Sequence, residues 1–415
     1  MKIAIVGSGI AGLTCAYLLN RQHDIQVFEA SDWIGGHTHT VDVEVQGRSY
    51  AIDTGFIVFN DWTYPNFIRL LEQLGVGFKP TEMSFSVSDP ATGVEYNGHD
   101  LNTLFAQRSN LLSPAFWGML RDILRFNRQS LDDLANNRIS ADTTLGQYLD
   151  SNGYGRRFIE HYIVPMGSAI WSMSLADMLG FPLQFLVRFC KNHGLLSVSD
   201  RPQWQVIEGG SRSYVAPLTA SFAERIRLNC PVSRVVRDQD GVTLHSAAGA
   251  ERFDKVIFAC HSDQALALLE QPSEQERDIL GALPYANNDV VLHTDTRLLP
   301  KRKLAWASWN YRLGGPSDQP AAVTYDMNIL QGIESDTTFC VSLNQTAAID
   351  PSKILARFQY AHPQYSLAGT AAQARWEELL GAQHTYYCGA YWANGFHEDG
   401  VVSALRVARA FGETL

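Results

Sequence analysis

An α/β fold organised on a parallel sheet is predicted from three features of the 415-residue chain. The apolar strand residues Ile3, Ile5 and Val6 run into the turn Gly7-Ser-Gly9-Ile-Ala-Gly12, which opens a helical stretch over 13–19. A second apolar run over 25–28 ends on Glu29. Glycine turns, strands and helix starts of the same kind return in the middle and at the far end of the sequence. The turn is a dinucleotide cradle. Gly7 permits a tight bend, Gly9 lets backbone approach a pyrophosphate, and Gly12 lets the helix pack closely on the sheet. The free N–H groups of the helix start then face the phosphates. Glu29 stands about twenty residues beyond the glycines, where an acidic side chain takes ribose hydroxyls, so FAD or NAD is expected rather than NADP.

The remaining elements follow in order. Gly35-Gly36-His37-Thr38 leads into a hairpin with strands at 41–45 and 50–52 around Gln46-Gly47, and its second strand delivers Asp53-Thr54-Gly55. Helical periodicity covers 64–74 and, broken by Gly and Pro, 102–193. Gly209-Gly210 opens a helix over 214–224, and strands are expected at 226–228, 232–236, 242–245 and 255–259. A second β-rich block, with strands at 290–293, 304–309, 322–325 and 339–343, forms one sheet, followed by helices at 353–360 and 371–380. A loop at 386–389 precedes a closing helix over 401–411. The expected organisation is a Rossmann-type cofactor domain made of 1–80, 200–285 and 375–415, interrupted by an α+β substrate domain made of 81–199 and 286–374.

Composition excludes several classes. Charged residues are 18% and hydrophobic residues 46%, as in a folded globular chain. A net charge of -10 and the lack of a basic arm argue against a nucleic-acid partner. Cys15, Cys190, Cys230, Cys260, Cys340 and Cys388 are scattered without CxxC spacing, and the chain opens on its first core strand, so a cytoplasmic protein with free thiols is expected. No apolar stretch reaches membrane-spanning length. The segment 111–126 reads as an amphipathic helix carrying Phe116, Trp117, Leu120, Ile123 and Leu124 beside Arg121 and Arg125, and packing on its own core is favoured over a membrane surface. The histidines form neither HExxH nor any other metal spacing, so no metal is expected, and no GxSxG turn offers a nucleophile.

The opening cradle, Glu29, Gly35-Gly36, Asp53-Thr-Gly55, Gly209-Gly210, Val232 and the final Gly395-Phe-His-Glu-Asp-Gly400 resemble, in this order, the superfamily of flavin-containing amine oxidases, phytoene desaturases and protoporphyrinogen oxidases. The phrases Pro165-Met-Gly-Ser-Ala-Ile-Trp171, Asn192-His-Gly194 and Trp306-Ala-Ser-Trp309-Asn-Tyr311 resemble an uncharacterised bacterial family of predicted NAD/FAD-binding proteins, whose members are often encoded beside a cyclopropane-fatty-acid synthase. The resemblance implies noncovalent FAD. Gly7, Gly9, Ile10, Ala11 and Gly12 would hold the pyrophosphate, and Glu29 the adenosine ribose. Gly35, Gly36, His37 and Thr38 would run along the pyrophosphate and ribityl chain, with Asp53, Thr54 and Gly55 following and Val232 at the adenine. Gly389 would lie beside the ribityl, and Gly400 and Val401 would start a helix facing the flavin O2.

The chain departs from amine oxidases in four places. His37 stands where they carry Arg, and Ala390 where they carry an acid. Asn287-Asn288-Asp289 occupies the region of their lysine near flavin N5, with Lys301 and Lys303 as later alternatives. Trp392 and Phe396 take the place of their tyrosine cage, either as core or as substrate contacts; His397, Trp306 and Trp309 complete the catalytic candidates. The leading expectation is an FAD-dependent oxidoreductase that dehydrogenates, desaturates or oxidises a small, apolar or lipid-derived substrate. A flavin amine oxidase using oxygen, a non-redox flavin isomerase and an FAD-holding binding protein are the alternatives.

Overall fold

The computed structural model describes residues 1–314 and 321–415. Strand β1 (Lys2–Val6) is the centre of a five-stranded sheet. Helix α1 (Ile10–Leu19) crosses from it to β2 (Asp24–Phe28), as the glycine turn and the apolar periods require. The other members come from far along the chain: β3 (Ile226–Arg227) on the outer side of β2, β4 (Lys255–Phe258) beside β1, and β5 (Thr385–Tyr387) at the other edge. All four pairings are parallel, and Ile3 to Val6 face Lys255 to Phe258 in register. Being buried on both faces, β1 and β4 read as almost unbroken apolar runs. Helix α1 is buried nearly all round, because α2 (Pro65–Leu74) and the last helix, α4 (His397–Ala410), join it in one core with Leu13, Phe67, Tyr214 and Val401.

A seven-stranded sheet stands apart from this one, in the order Ile354–Pro363, Tyr285–His293, Cys340–Leu343, Val323–Asp326, Trp309–Arg312, Phe85–Asp89, Val94–Asn97. Only the pairing of Trp309–Arg312 with Phe85–Asp89 is parallel. The helical block, including the 22-residue α3 (Pro114–Ala135), packs on it through Phe116, Phe126, Phe181 and Leu186 against Val87, Tyr96, Tyr311 and Val323.

Several local expectations are corrected. The helix expected over 353–360 is strand from Ile354 on: Ile354, Ala356, Phe358 and Tyr360 alternate inward, and the segment pairs along its length with Tyr285–His293. The expected loop at 386–389 begins as β5, recruited by pairing with β4. The expected strand at 304–309 is a short helical turn, Lys303–Ala305, with the strand starting only at Trp309. The helix expected over 214–224 is regular only over Val215–Thr219, and that over 371–380 lies earlier, at Leu367–Gln373. The strands Phe85–Asp89, Val94–Asn97 and Gly249–Phe253 were not foreseen.

Candidate functional site

A cleft of about 830 Å³ opens along the C-terminal ends of β1 and β4, with the seven-stranded sheet as its far wall. That is where an open parallel sheet holds its ligand. The glycines divide the labour of building it. Gly7 has φ +106°, and a Cβ there would sit 2.9 Å from the Ala259 carbonyl oxygen. A Cβ on Gly12 would lie 2.1 Å from the Gly7 oxygen, so Gly12 is consumed by helix-to-strand packing and does not line the cleft. At Gly9 a Cβ would meet nothing within 4 Å: the space beside it is the cleft itself. Gly35 bridges to Gly9, and a Cβ on Gly36, at φ +60°, would lie 3.2 Å from the Gly9 Cα, so a second backbone turn closes over the first. Ile10 and Ala11 line the cleft at the start of α1, where helical N–H groups lack intrahelical partners.

Glu29 follows β2 directly and faces this turn. One carboxylate oxygen accepts from the Ser8 amide at 2.9 Å and the Ser8 hydroxyl at 2.6 Å, and the other from the Ser31 amide at 2.8 Å. This fixes the carboxylate while leaving lone pairs for a further donor pair such as ribose hydroxyls. Glu29→Ala removes charge-assisted bonds worth about 1.5 to 3 kcal/mol each. FAD affinity, measured by ultrafiltration of the variant, is expected to fall at least tenfold; unchanged retention would remove Glu29 from the ribose.

Val232, Gly55 and Gly389 also line the cleft. Gly55 must be glycine, since a Cβ would fall 2.2 Å from the His37 carbonyl oxygen. Thr38, Asp53, Thr54, Gly400 and Val401 lie behind the wall. Asp53 is fully buried and accepts from the Thr40 hydroxyl, the Ser211 amide and hydroxyl, and the Gln331 amide group, tying the hairpin to the Gly209-Gly210 turn. Thr54 bonds the Tyr360 hydroxyl at 2.8 Å. Gly400 admits the Ile10 side chain, whose Cγ2 would be 2.7 Å from a Cβ, so it serves the contact between α4 and α1.

Three histidines meet where the two sheets face each other. The His37 ring lies 6.0 Å from that of His261 and 5.5 Å from that of His362. His261 stacks on Tyr285 at 4.0 Å, and His362 Nδ1 pairs with the Asn288 amide at 2.9 Å. Burial pushes all three down, His261 and His362 to about 3, so the rings are neutral at pH 7. Among the described residues, none of these or other His, Cys, Asp and Glu groups has metal-site geometry. His397, the first residue of α4, stacks on Phe56 at 3.4 Å; its Nε2 lies 2.9 Å from the Thr38 hydroxyl, and burial holds it well below the ordinary imidazole value. It is an anchored neutral ring at the cleft wall.

Of the other catalytic candidates, Trp309 and Phe396 line the cleft. Trp392 is buried in the core beside Tyr391. Trp306 is turned away, its indole N–H donating to the Pro300 oxygen at 2.8 Å and Lys303 lying over its ring. Lys301 and Lys303 are exposed and do not line the cleft, and Asn287 does. Trp171, of the aromatic middle block, lines the cleft as well; missed in the sequence were Tyr325, Tyr360 and Tyr365, and the alternation Phe358-x-Tyr360-x-His362 was the available signal for Tyr360.

The described residues lining the cleft include no Lys or Arg, and Glu29 is their only carboxylate. Buried polar atoms without partners cluster there: His37 Nε2, Trp309 Nε1 and the hydroxyls of Tyr365 and Tyr391. An open Gly9, a free helix start and an oriented Glu29 fit the nucleotide end of a dinucleotide cofactor, and the unpaired donors suit a polar ring system at the other end.

Comparison with known proteins agrees. The family model for flavin containing amine oxidoreductase matches residues 10–327. A putative flavin-containing monoamine oxidase of Mycobacterium tuberculosis is 24% identical over 353 residues, covering 79% of this chain and 71% of that protein. A redesigned putrescine oxidase superposes with TM-score 0.71 at 15% identity, over 99% of this chain and 98% of the other. A fatty acid isomerase from P. acnes that produces CLA superposes with TM-score 0.69 at 15% identity, over 99% and 98%.

Proposed function

The chain belongs to the flavin containing amine oxidoreductases, and from that premise we propose that it is an oxidoreductase that binds FAD noncovalently and acts on an uncharged, apolar, lipid-derived substrate. The observation that carries the substrate class is the far half of the cleft. Ile170, Trp171, Trp309, Tyr325, Tyr365 and Phe396 form its walls, with no charged side chain among them. A carboxylate, phosphate or ammonium drawn into that space would lose its water without gaining a counter-ion, which costs several kcal/mol. An alkyl or isoprenoid chain loses nothing by the same move.

In this reading residues 1–80, 200–285 and 375–415 form the cofactor domain and 81–199 with 286–374 the substrate domain, supported by the membership of the two sheets. Bound FAD supplies hydride acceptance from a C–H bond, either within an alkyl chain or next to nitrogen. The chain's own residues orient and dry the site. The glycine turn and Glu29 fix the nucleotide end, Trp309 and Phe396 flank the substrate, and the neutral histidines leave the cleft without a fixed positive charge. A neutral amine is the second reading, favoured by the unpaired Tyr365 hydroxyl beside the aromatic walls.

Anaerobic mixing tests the choice. Unsaturated or cyclopropane fatty acyl esters are expected to bleach the flavin absorbance, and simple mono- and polyamines are not. Bleaching by amines alone overturns the lipid reading, and rearrangement of the lipid without bleaching would establish a non-redox isomerase.

A further inference from the structure

We propose that the outer face of α3, together with the turn before it and the segment 301–304, is a docking surface for an anionic phospholipid bilayer. The apolar residues of this face are displayed rather than packed. Leu112 is 88% exposed, Leu101 76%, Leu124 58%, Trp117 49% and Leu111 46%. Among the described residues no helix is long and apolar enough to cross a membrane, so the proposal concerns contact at the surface.

The residues form one patch. The Trp117 indole N–H donates to the Leu111 oxygen at 2.9 Å, and its ring lies 5.5 Å from Phe105. Leu101 opens the short helix Leu101–Leu104, which packs beside the turn Lys303–Ala305. Along α3 the exposed positions Trp117, Arg121, Leu124 and Arg128 recur at helical spacing, so apolar and basic side chains alternate on one stripe. The inner face of the same helix, with Phe116, Met119 and Phe126, supplies the core contact foreseen in the sequence. The helix is therefore apolar on more of its circumference than its own fold uses.

Charge selects the occupant. The chain as a whole carries -10, yet Arg108, Arg121, Arg128, Lys301 and Lys303 are all exposed around this patch. Arg302 is tied to Glu95 at 2.8 Å, whereas those five form no ion pair with a carboxylate among the described residues. A second copy docking through the same face would bring one set of cations against the other. Anionic lipid headgroups offer the opposite charge, and the leucines and tryptophan reach the depth where such side chains settle at a bilayer boundary. This proposal rests on the surface alone and stands whatever the cleft accepts.

Vesicle flotation of the whole flavin-loaded protein tests it. Recovery with phosphatidylglycerol–phosphatidylcholine vesicles is expected to exceed that with phosphatidylcholine alone at least tenfold and to fall in 0.5 M salt. Leu112→Ser with Trp117→Ser, and separately Arg121→Gln with Arg128→Gln, are each expected to lower recovery at least fivefold while the thermal midpoint stays within 2 °C of the parent. Equal recovery on both vesicle types, or undiminished recovery of either double variant, overturns the proposal. A concentration-dependent dimer that Leu112→Ser abolishes would assign the face to self-association and overturn it too.

Discussion

Gly12→Val is expected to yield a chain that neither seats α1 nor retains flavin. A Cβ at this position would stand 2.1 Å from the Gly7 carbonyl oxygen and 3.0 Å from the Ala259 Cβ, and backbone on one side and sheet on the other leave no direction in which to yield. Overpacking of this kind costs about 3 kcal/mol or more when the backbone must move. Circular dichroism, the thermal midpoint and flavin content measured on one sample check it; a stable variant with full flavin would disprove the assigned packing. Gly9→Ala is the informative contrast. Its Cβ meets nothing in the protein and Gly9 sits at an ordinary φ of -68°, so folding is retained while affinity for FAD falls, because the added methyl enters the cleft.

Acid is expected to destabilise the protein well above the usual carboxylate range. Burial holds His193 and His293 near 4, against 6.5 when unfolded, and both side chains are almost completely enclosed. The unfolded chain therefore binds more protons than the folded one as pH drops below 6.5, and stability is lost in that direction. At pH 5 each of the two costs about 2 kcal/mol. His37, His261, His362 and His397 push the same way. Asp53, Asp326 and Asp399, raised to about 6 by burial, act oppositely and return about 1 kcal/mol each between pH 6 and 5. Histidine prevails by number. The unfolding midpoint of the flavin-loaded protein is expected to drop by roughly 10 °C from pH 7.5 to pH 5. A midpoint that rises on acidification would show the carboxylates in control.

What the sequence disclosed and what it hid divide along a physical line. The cradle over 7–12, Glu29 and the hairpin are written in adjacent residues, because turns and caps are local events; the last helix, expected from Val401, starts four residues earlier, at His397. The strand at 354–363 was concealed, since Ile354, Leu355 and Phe358 satisfy a helical period as well as an alternating one, and only pairing with Tyr285–His293 decides between them. Asp53 looked like a cofactor contact and proves to be a buried clasp. The meeting of His37, His261 and His362, and the facing of Trp309 by Tyr325 at 5.0 Å, join residues that no spacing rule connects.

The interleaved order of the parallel sheet also governs how the molecule comes into being. Strand β1 leaves the ribosome well before its partner β4, which is made some 250 residues later, and β5 follows later still. At 5 to 20 residues per second, β1 waits roughly 12 to 50 s for the strand that covers its flank. Meanwhile the nascent α1, apolar nearly all round, lacks α4, which completes its core. During synthesis this βαβ unit is thus a natural client for chaperones, and the nucleotide cradle, encoded ahead of both late strands, is among the last parts to be finished.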